Sequence, residues 1–201
     1  MGNRIITIDR EFESGGNEIA QAVAERLSLP YYDRFLITAS ADESGVKLDD
    51  ALAKDEKLES RFEYSQAQAA YYYTSAESPL PTGARVAQAQ FELIRKIAAE
   101  GPCVIVGRCA GYILRERGDV ISVFVHAGRD RRIQRTMSAL RIEEKEAVRI
   151  LKQTDRMRKA YHKNYTGMEW NDPNQYHMLL NSDLVAPEAC VEMICALYQA
   201  P

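Results

Sequence analysis

An α/β fold built on a parallel sheet covered on both faces is what this sequence predicts, and three observations predict it. "CVIVG" (103–107) and "VISVFVH" (120–126) are continuous apolar runs of strand length, the pattern of strands buried on both faces. Such runs alternate with helical patterns, the order that builds a parallel sheet through crossover helices. The chain also opens on "RIITIDREFESGGNEIAQAVAERL" (4–27), where a β-branched run, a glycine loop and an amphipathic helix follow one another. That is the order of a phosphate cradle.

Element by element, a strand is expected over 4–9 and a helix over 16–28, whose apolar stripe includes Ile19, Ala22, Val23 and Leu27. A short strand follows at Tyr31 and Tyr32, then Asp33 and a helical turn. Residues 42–75 read as helical and highly charged, with Tyr71, Tyr72 and Tyr73 together; "SPLPTG" (78–83) reads as a loop, because two prolines and a glycine oppose regular structure. A helix over 84–100 stops at Gly101 and Pro102. Helices over 128–139 and 143–161 carry many arginines, 176–181 forms the last strand, and Pro187 sits in the first turn of the closing helix.

At 201 residues and 46% hydrophobic, the chain predicts one domain, 1–201, with room for an insertion. A net charge of −3 argues against general nucleic-acid or membrane-surface binding. Charge is nevertheless localised: 129–163 holds twelve Lys or Arg against five acids, and 41–63 holds eight acids against four bases. Cys103, Cys109, Cys190 and Cys195 form no CxxC and stand at no metal-ligand spacing, so buried reduced thiols and no metal site are expected. No apolar run reaches the ~18 residues of a membrane helix, and the N-terminus enters a strand directly, so the expected location is cytoplasmic. Oligomeric state is not encoded in any pattern here.

In parallel sheets, ligands bind beyond the carboxyl ends of the strands. That rule selects Asp9 to Asn17, Asp33 and Arg34, Gly107 and Arg108, His126 to Arg132, and Asn181 to Asp183. In the glycine loop, successive N–H groups at a helix start point into a common hollow that suits an anion; the plainer alternative is Ser14 capping a helix and Gly15-Gly16 making a turn. Arg108 follows a buried strand and suits a phosphate through paired hydrogen bonds, or a structural salt bridge. Asp155 and Arg158 share a helical face, which is also what a surface ion pair looks like. Arg132 and Arg135, with Arg149 and Lys152 on the next helix, suit either a solvated face or a lid that clamps transferring phosphates.

Together, "ITIDREFESGGNEIAQAVAERLSLPYYDRFLI", "CVIVGRCAGYIL", "DRRIQRTM", "DRMRKAY" and "NDPNQYHMLLNSDL" resemble the cytidylate kinase-like family of P-loop proteins, in order and over almost the whole chain. The resemblance implies a P-loop NTPase fold of the nucleoside monophosphate kinase type: a three-layer sandwich with five parallel strands in order 2-3-1-4-5. It also implies a monophosphate-binding helical insertion at 40–85 and a lid-like hairpin at 129–160. ATP with Mg²⁺, and a small-molecule nucleotide substrate, are the implied ligands. In cytidylate kinases the loop reads close to ITIDGPxGxGKGT, which places Gly16 on the lysine; in the cytidylate kinase-like branch "SGG" is the usual loop. Arg108 matches the arginine of a "GRD" segment that contacts the monophosphate, with Cys109 in place of the acid. Asp155 and Arg158 match a D-x-x-R pair that addresses the acceptor, and Leu151 stands where an arginine is expected. Arg132 and Arg135 match lid arginines. Asp33 falls where the kinases carry an acid after the second strand.

Phosphoryl transfer needs mainly positioning and charge neutralisation, so another cation can serve where the lysine is missing. Arg10, inside the loop, is the expected replacement, with Arg132 and Arg135 on the transferring group. Ser14, Gly15, Gly16 and Asn17 are expected to cradle the donor phosphates, with Asn17 or Ser14 offering Mg²⁺ an oxygen. Asp33, Arg108, Asp155 and Arg158 are expected to hold the acceptor. The expected activity is ATP-dependent phosphoryl transfer to CMP or a related acceptor. Two alternatives remain: a nucleotide or anion binder that keeps the fold without turnover, and a kinase for a non-nucleotide small molecule, which Leu151 and Cys109 favour.

Overall fold

The computed structural model describes residues 4–33 and 82–200. Five strands form one sheet in the order β2-β3-β1-β4-β5: β1 (Ile5–Arg10), β2 (Tyr31–Tyr32), β3 (Val104–Val106), β4 (Val120–His126) and β5 (Met178–Asn181). Every pairing is parallel, as the apolar runs and the resemblance both imply. Alternate β1 residues serve opposite faces. Ile6 and Ile8 pack with Ile19, Val23, Val191 and Ile194 of two helices, α1 (Gly16–Leu27) and α6 (Pro187–Gln199). Ile5 turns the other way, to Ile94 and Ile97 of α2 (Thr82–Glu100) and Ile113 of the short α3 (Ala110–Ile113). Burial on both faces is why these strands lack a polar side.

Between β4 and β5, α4 (Arg129–Leu140) and α5 (Glu144–Thr166) form a hairpin held by its own small core of Ile133, Ala147 and Leu151, with Phe12 of the loop packed against it. Leu151 is therefore a packing residue between the two helices.

Several boundaries differ from the sequence reading. The helix expected at 84 begins at Thr82, inside the expected loop, and α5 runs on to Thr166, where Gly167 adopts the left-handed conformation and ends it. The last strand starts at Met178, leaving Tyr176 and His177 in the approach to it. Helix α3 was not anticipated, being four residues placed directly after the Arg108 turn. The tyrosine triplet, the charged helices of 42–75 and nearly all of the 40–85 insertion lie outside the described residues. All four cysteines are buried and free, and no described helix is long and apolar enough to cross a membrane.

Candidate functional site

The glycine loop leaves β1 at Arg10 and enters α1 at Gly16, and its backbone decides between the two readings of Ser14. The helix N-cap is Gly15, left-handed at φ 80°, with no side-chain cap. Ser14 instead donates its hydroxyl to the carbonyl of Glu11 at 2.9 Å. Ser14 is thus a tie within the loop, and the first N–H groups of α1 keep no internal acceptor, the condition for an anion site.

Arg10 lies across this hollow. Its Nε donates to Oδ1 of Asn17 at 2.8 Å. A Cβ on Gly16 would stand 2.5 Å from Cβ of Arg10, and one on Gly107 would stand 2.5 Å from Nη1 of the same guanidinium. Gly16 is thus required by the first carbons of the Arg10 side chain, whereas Gly107, which meets only the movable end of that side chain, is favoured as glycine by its φ of 77°. On the other side, the Arg135 guanidinium lies 3.8 Å from where a Gly15 Cβ would be, bridged to Glu18 at 2.6 Å and Glu13 at 3.7 Å. Two guanidinium groups therefore flank the glycine pair, one delivered by β1 and one by α4. Ser14 is buried with its hydroxyl proton spent on Glu11, and the exposed Asn17 already accepts from Arg10 through its side-chain oxygen.

Arg132 and Asp155 meet each other. Their closest approach is 2.6 Å, with both side chains nearly inaccessible. Asp155 also accepts from the Phe12 N–H at 2.9 Å, while Arg132 donates to the Phe12 and Ala127 carbonyls and reaches Glu11 at 3.3 Å. In this arrangement neither charge faces a ligand: the pair fastens the hairpin to residues 11–12 of the loop. The roles implied by resemblance, Arg132 on the transferring group and Asp155 on the acceptor, require that fastening to open.

Arg108 and Arg158 line a narrow cleft beyond β1 and β3, together with Asp9, Arg10, Tyr161 and His162. Arg108 sits in a turn where Gly107, Arg108 and Cys109 all have positive φ, a strained geometry of the kind found at binding sites. Its guanidinium lies 4.8 Å from the centre of the Tyr161 ring, whose hydroxyl donates to the fully buried Gln90 at 3.1 Å. Arg158 donates to the Arg10 carbonyl at 2.8 Å. Asp33 follows β2, two strands from the loop in the sheet order, and does not line this cleft; its charge raises the Tyr31 hydroxyl, already raised by burial.

Asp9, selected in the sequence as the acid ending the first strand, also lines the cleft, and so do Tyr161, His162 and Trp170, which the strand-end rule did not select. Burial, then the Asp9 charge, push the Cys109 thiol up, and the same two causes raise the Tyr176 hydroxyl.

Three comparisons bear on this geometry. No curated protein matches the chain in sequence. Among solved structures, an uncharacterised protein from Eubacterium ventriosum is similar at 28% identity and TM-score 0.75, over 98% of this chain and 99% of that one. A shikimate kinase from Bacteroides thetaiotaomicron is similar in fold, at 13% identity and TM-score 0.52 over 98% and 99% of the two chains. So is a sugar kinase from a Janibacter species, at 18% identity and TM-score 0.51 over 96% and 93%. The family model described as the cytidylate kinase-like family matches residues 5–184. With its five parallel strands in the order 2-3-1-4-5 and a glycine loop opening the first helix, the chain belongs to the cytidylate kinase-like family of P-loop kinase folds.

Proposed function

We propose that this protein transfers the γ-phosphoryl group of ATP to a small acceptor, with CMP or a related nucleoside monophosphate the first to be tried. One observation carries the reading: an uncapped helix start flanked by the guanidinium groups of Arg10 and Arg135, in a loop whose lysine position is Gly16. The main-chain N–H groups of Gly15, Gly16 and Asn17, with Ser14 bracing the turn, would cradle the donor phosphates. Arg10 and Arg135 would neutralise charge that spreads over the transferring group. Mg²⁺, when present, supplies further neutralisation of the donor phosphates and would be carried on phosphate and water oxygens. Arg108 and Arg158 would grip the acceptor's anionic group; Arg132 and Asp155 hold the loop in place.

A second reading, a non-nucleotide acceptor, is supported by Leu151. The position where the resemblance calls for an arginine is 4% exposed and belongs to the hairpin core. ADP release from ATP and Mg²⁺, measured with each common monophosphate and paired with binding calorimetry, tests the proposal. Turnover supports it; tight ATP binding without ADP from any acceptor identifies a sensor instead. Arg10→Ala turning over at the wild-type rate would remove Arg10 from its role.

A further inference from the structure

Behind the arginine cleft, on the α3 face of the sheet, lies a second and larger cavity of about 380 Å³. The cleft itself holds about 30 Å³, room for little more than a water. The two share a wall made by Asp9 and His162. At 380 Å³ the rear cavity is in the range that takes small molecules. Its lining is mixed and more apolar than polar: Val120 and Met168 stand beside Tyr112, Asn174 and His177, with Asp9 at the boundary with the cleft.

Asp9 is unusual for a half-buried carboxylate. Among the described residues it has no cation within salt-bridge distance. Its one hydrogen bond comes from the Tyr176 hydroxyl at 3.4 Å, and that hydroxyl's single proton is better placed on the Trp170 carbonyl at 2.6 Å. Being only partly buried, a carboxylate with so little internal satisfaction is open to a donor from outside, water or a bound hydroxyl. A phosphate acceptor supplies none. Its oxygens are already ionised, need no base, and would be repelled by Asp9. A hydroxyl supplies a proton and does need a base to become a good nucleophile.

We infer that the phosphoryl acceptor is a small hydroxylated organic anion held in the rear cavity, with its reacting hydroxyl on Asp9 as general base. The inference rests on the phosphotransferase reading above and names its substrate class. The acceptor oxygen bonds to the γ-phosphorus of ATP, the bond from that phosphorus to the β,γ-bridging oxygen breaks, and its electron pair leaves with ADP. The hydroxyl proton passes to an Asp9 carboxylate oxygen. Arg115 and Arg117 line the cavity already engaged, Arg117 by Asp119 and Arg115 by Glu116 and the Tyr112 carbonyl, so the acceptor's anionic group falls to Arg108 and Arg158 across the Asp9 wall. Asp9 is the one acid among the residues that line the cleft.

The test uses the full chain with ATP, Mg²⁺ and four probes (glycerate, gluconate, quinate and ribose 5-phosphate) beside CMP, reading ADP release. The expected result is turnover with at least one hydroxylated probe, and a loss of about 100-fold or more in kcat in Asp9→Asn with KM little changed. Asp9→Ser serves the same purpose should circular dichroism show Asp9→Asn misfolded. Turnover of CMP but of no hydroxylated probe overturns this inference and leaves the phosphotransferase reading standing. Wild-type kcat in an Asp9 variant on a hydroxylated probe overturns the role of Asp9. ATP binding without ADP from any acceptor overturns both.

Discussion

Asp155→Ala is expected to destabilise this protein by about 3 kcal/mol, and the number follows from what the carboxylate holds. It takes a 2.6 Å hydrogen bond from Arg132 and a 2.9 Å bond from the Phe12 N–H, with side chains 12% and 8% exposed at the ion pair. Removing one member of a buried pair leaves the other charge uncompensated, at a cost of about 3–5 kcal/mol. Glu11, 3.3 Å from Arg132, offsets part of that and favours the lower end. For a domain of this size the loss corresponds to a Tm lower by about 6–12 °C. Removing both charges in Arg132→Met/Asp155→Leu should cost clearly less than the two single changes together, with a coupling of about 2 kcal/mol from urea and thermal denaturation. A coupling under about 0.5 kcal/mol would refute the fastening role. The two residues would then be standing ready for a ligand, as the family resemblance implies.

Gly16→Ala should displace the Arg10 side chain, because the new Cβ would meet its Cβ at 2.5 Å; weaker ATP binding by calorimetry and a stability loss of about 1–3 kcal/mol are expected. Arg135→Ala should lower kcat by about 100-fold while leaving the acceptor KM unchanged, since its guanidinium flanks the phosphate hollow and not the acceptor cleft. Stability should fall as the solution becomes alkaline. Burial pushes the Cys103 thiol up to about 11 and raises Cys109 as well. The unfolded chain ionises first, near pH 8.5, so this contribution is intact below that value and is lost as pH rises towards the folded-state value. Melting curves across that range measure it, and Cys103→Ala should flatten the slope.

The sheet was legible because strands buried on both faces must be apolar throughout, so β3 and β4 declare themselves as unbroken runs at 104–106 and 120–126. Strand order came from the family resemblance, which no local pattern replaces. The loop was legible as strand, glycines and helix, but the choice between cap and cradle turned on the Gly15 φ and the direction of the Ser14 hydroxyl, neither of which composition fixes. Residue pairings were the least readable. Asp155 and Arg158 share a helical face, as i and i+3 residues do, yet Asp155 binds Arg132 on the neighbouring helix and Arg158 reaches the Arg10 carbonyl. Nothing in their spacing encodes those partners, and Tyr161 beneath Arg108 is likewise a product of the tertiary fold. Tyr176 and His177 read as strand because they extend an apolar-looking run, although β-pairing begins only at Met178.

The path of Arg10 constrains how this loop could ever be converted into an ordinary lysine-bearing one. A long side chain at position 16 and the present side chain at position 10 would need the same volume, since even a methyl group at 16 already collides with the first carbon of Arg10. Gly16→Lys by itself should therefore fail, and only together with Arg10→Gly could the replacement be accommodated. The two solutions to holding a triphosphate are mutually exclusive in this backbone, so a lineage passing from one to the other must change both positions, and either single change leaves a crowded or a cation-poor intermediate.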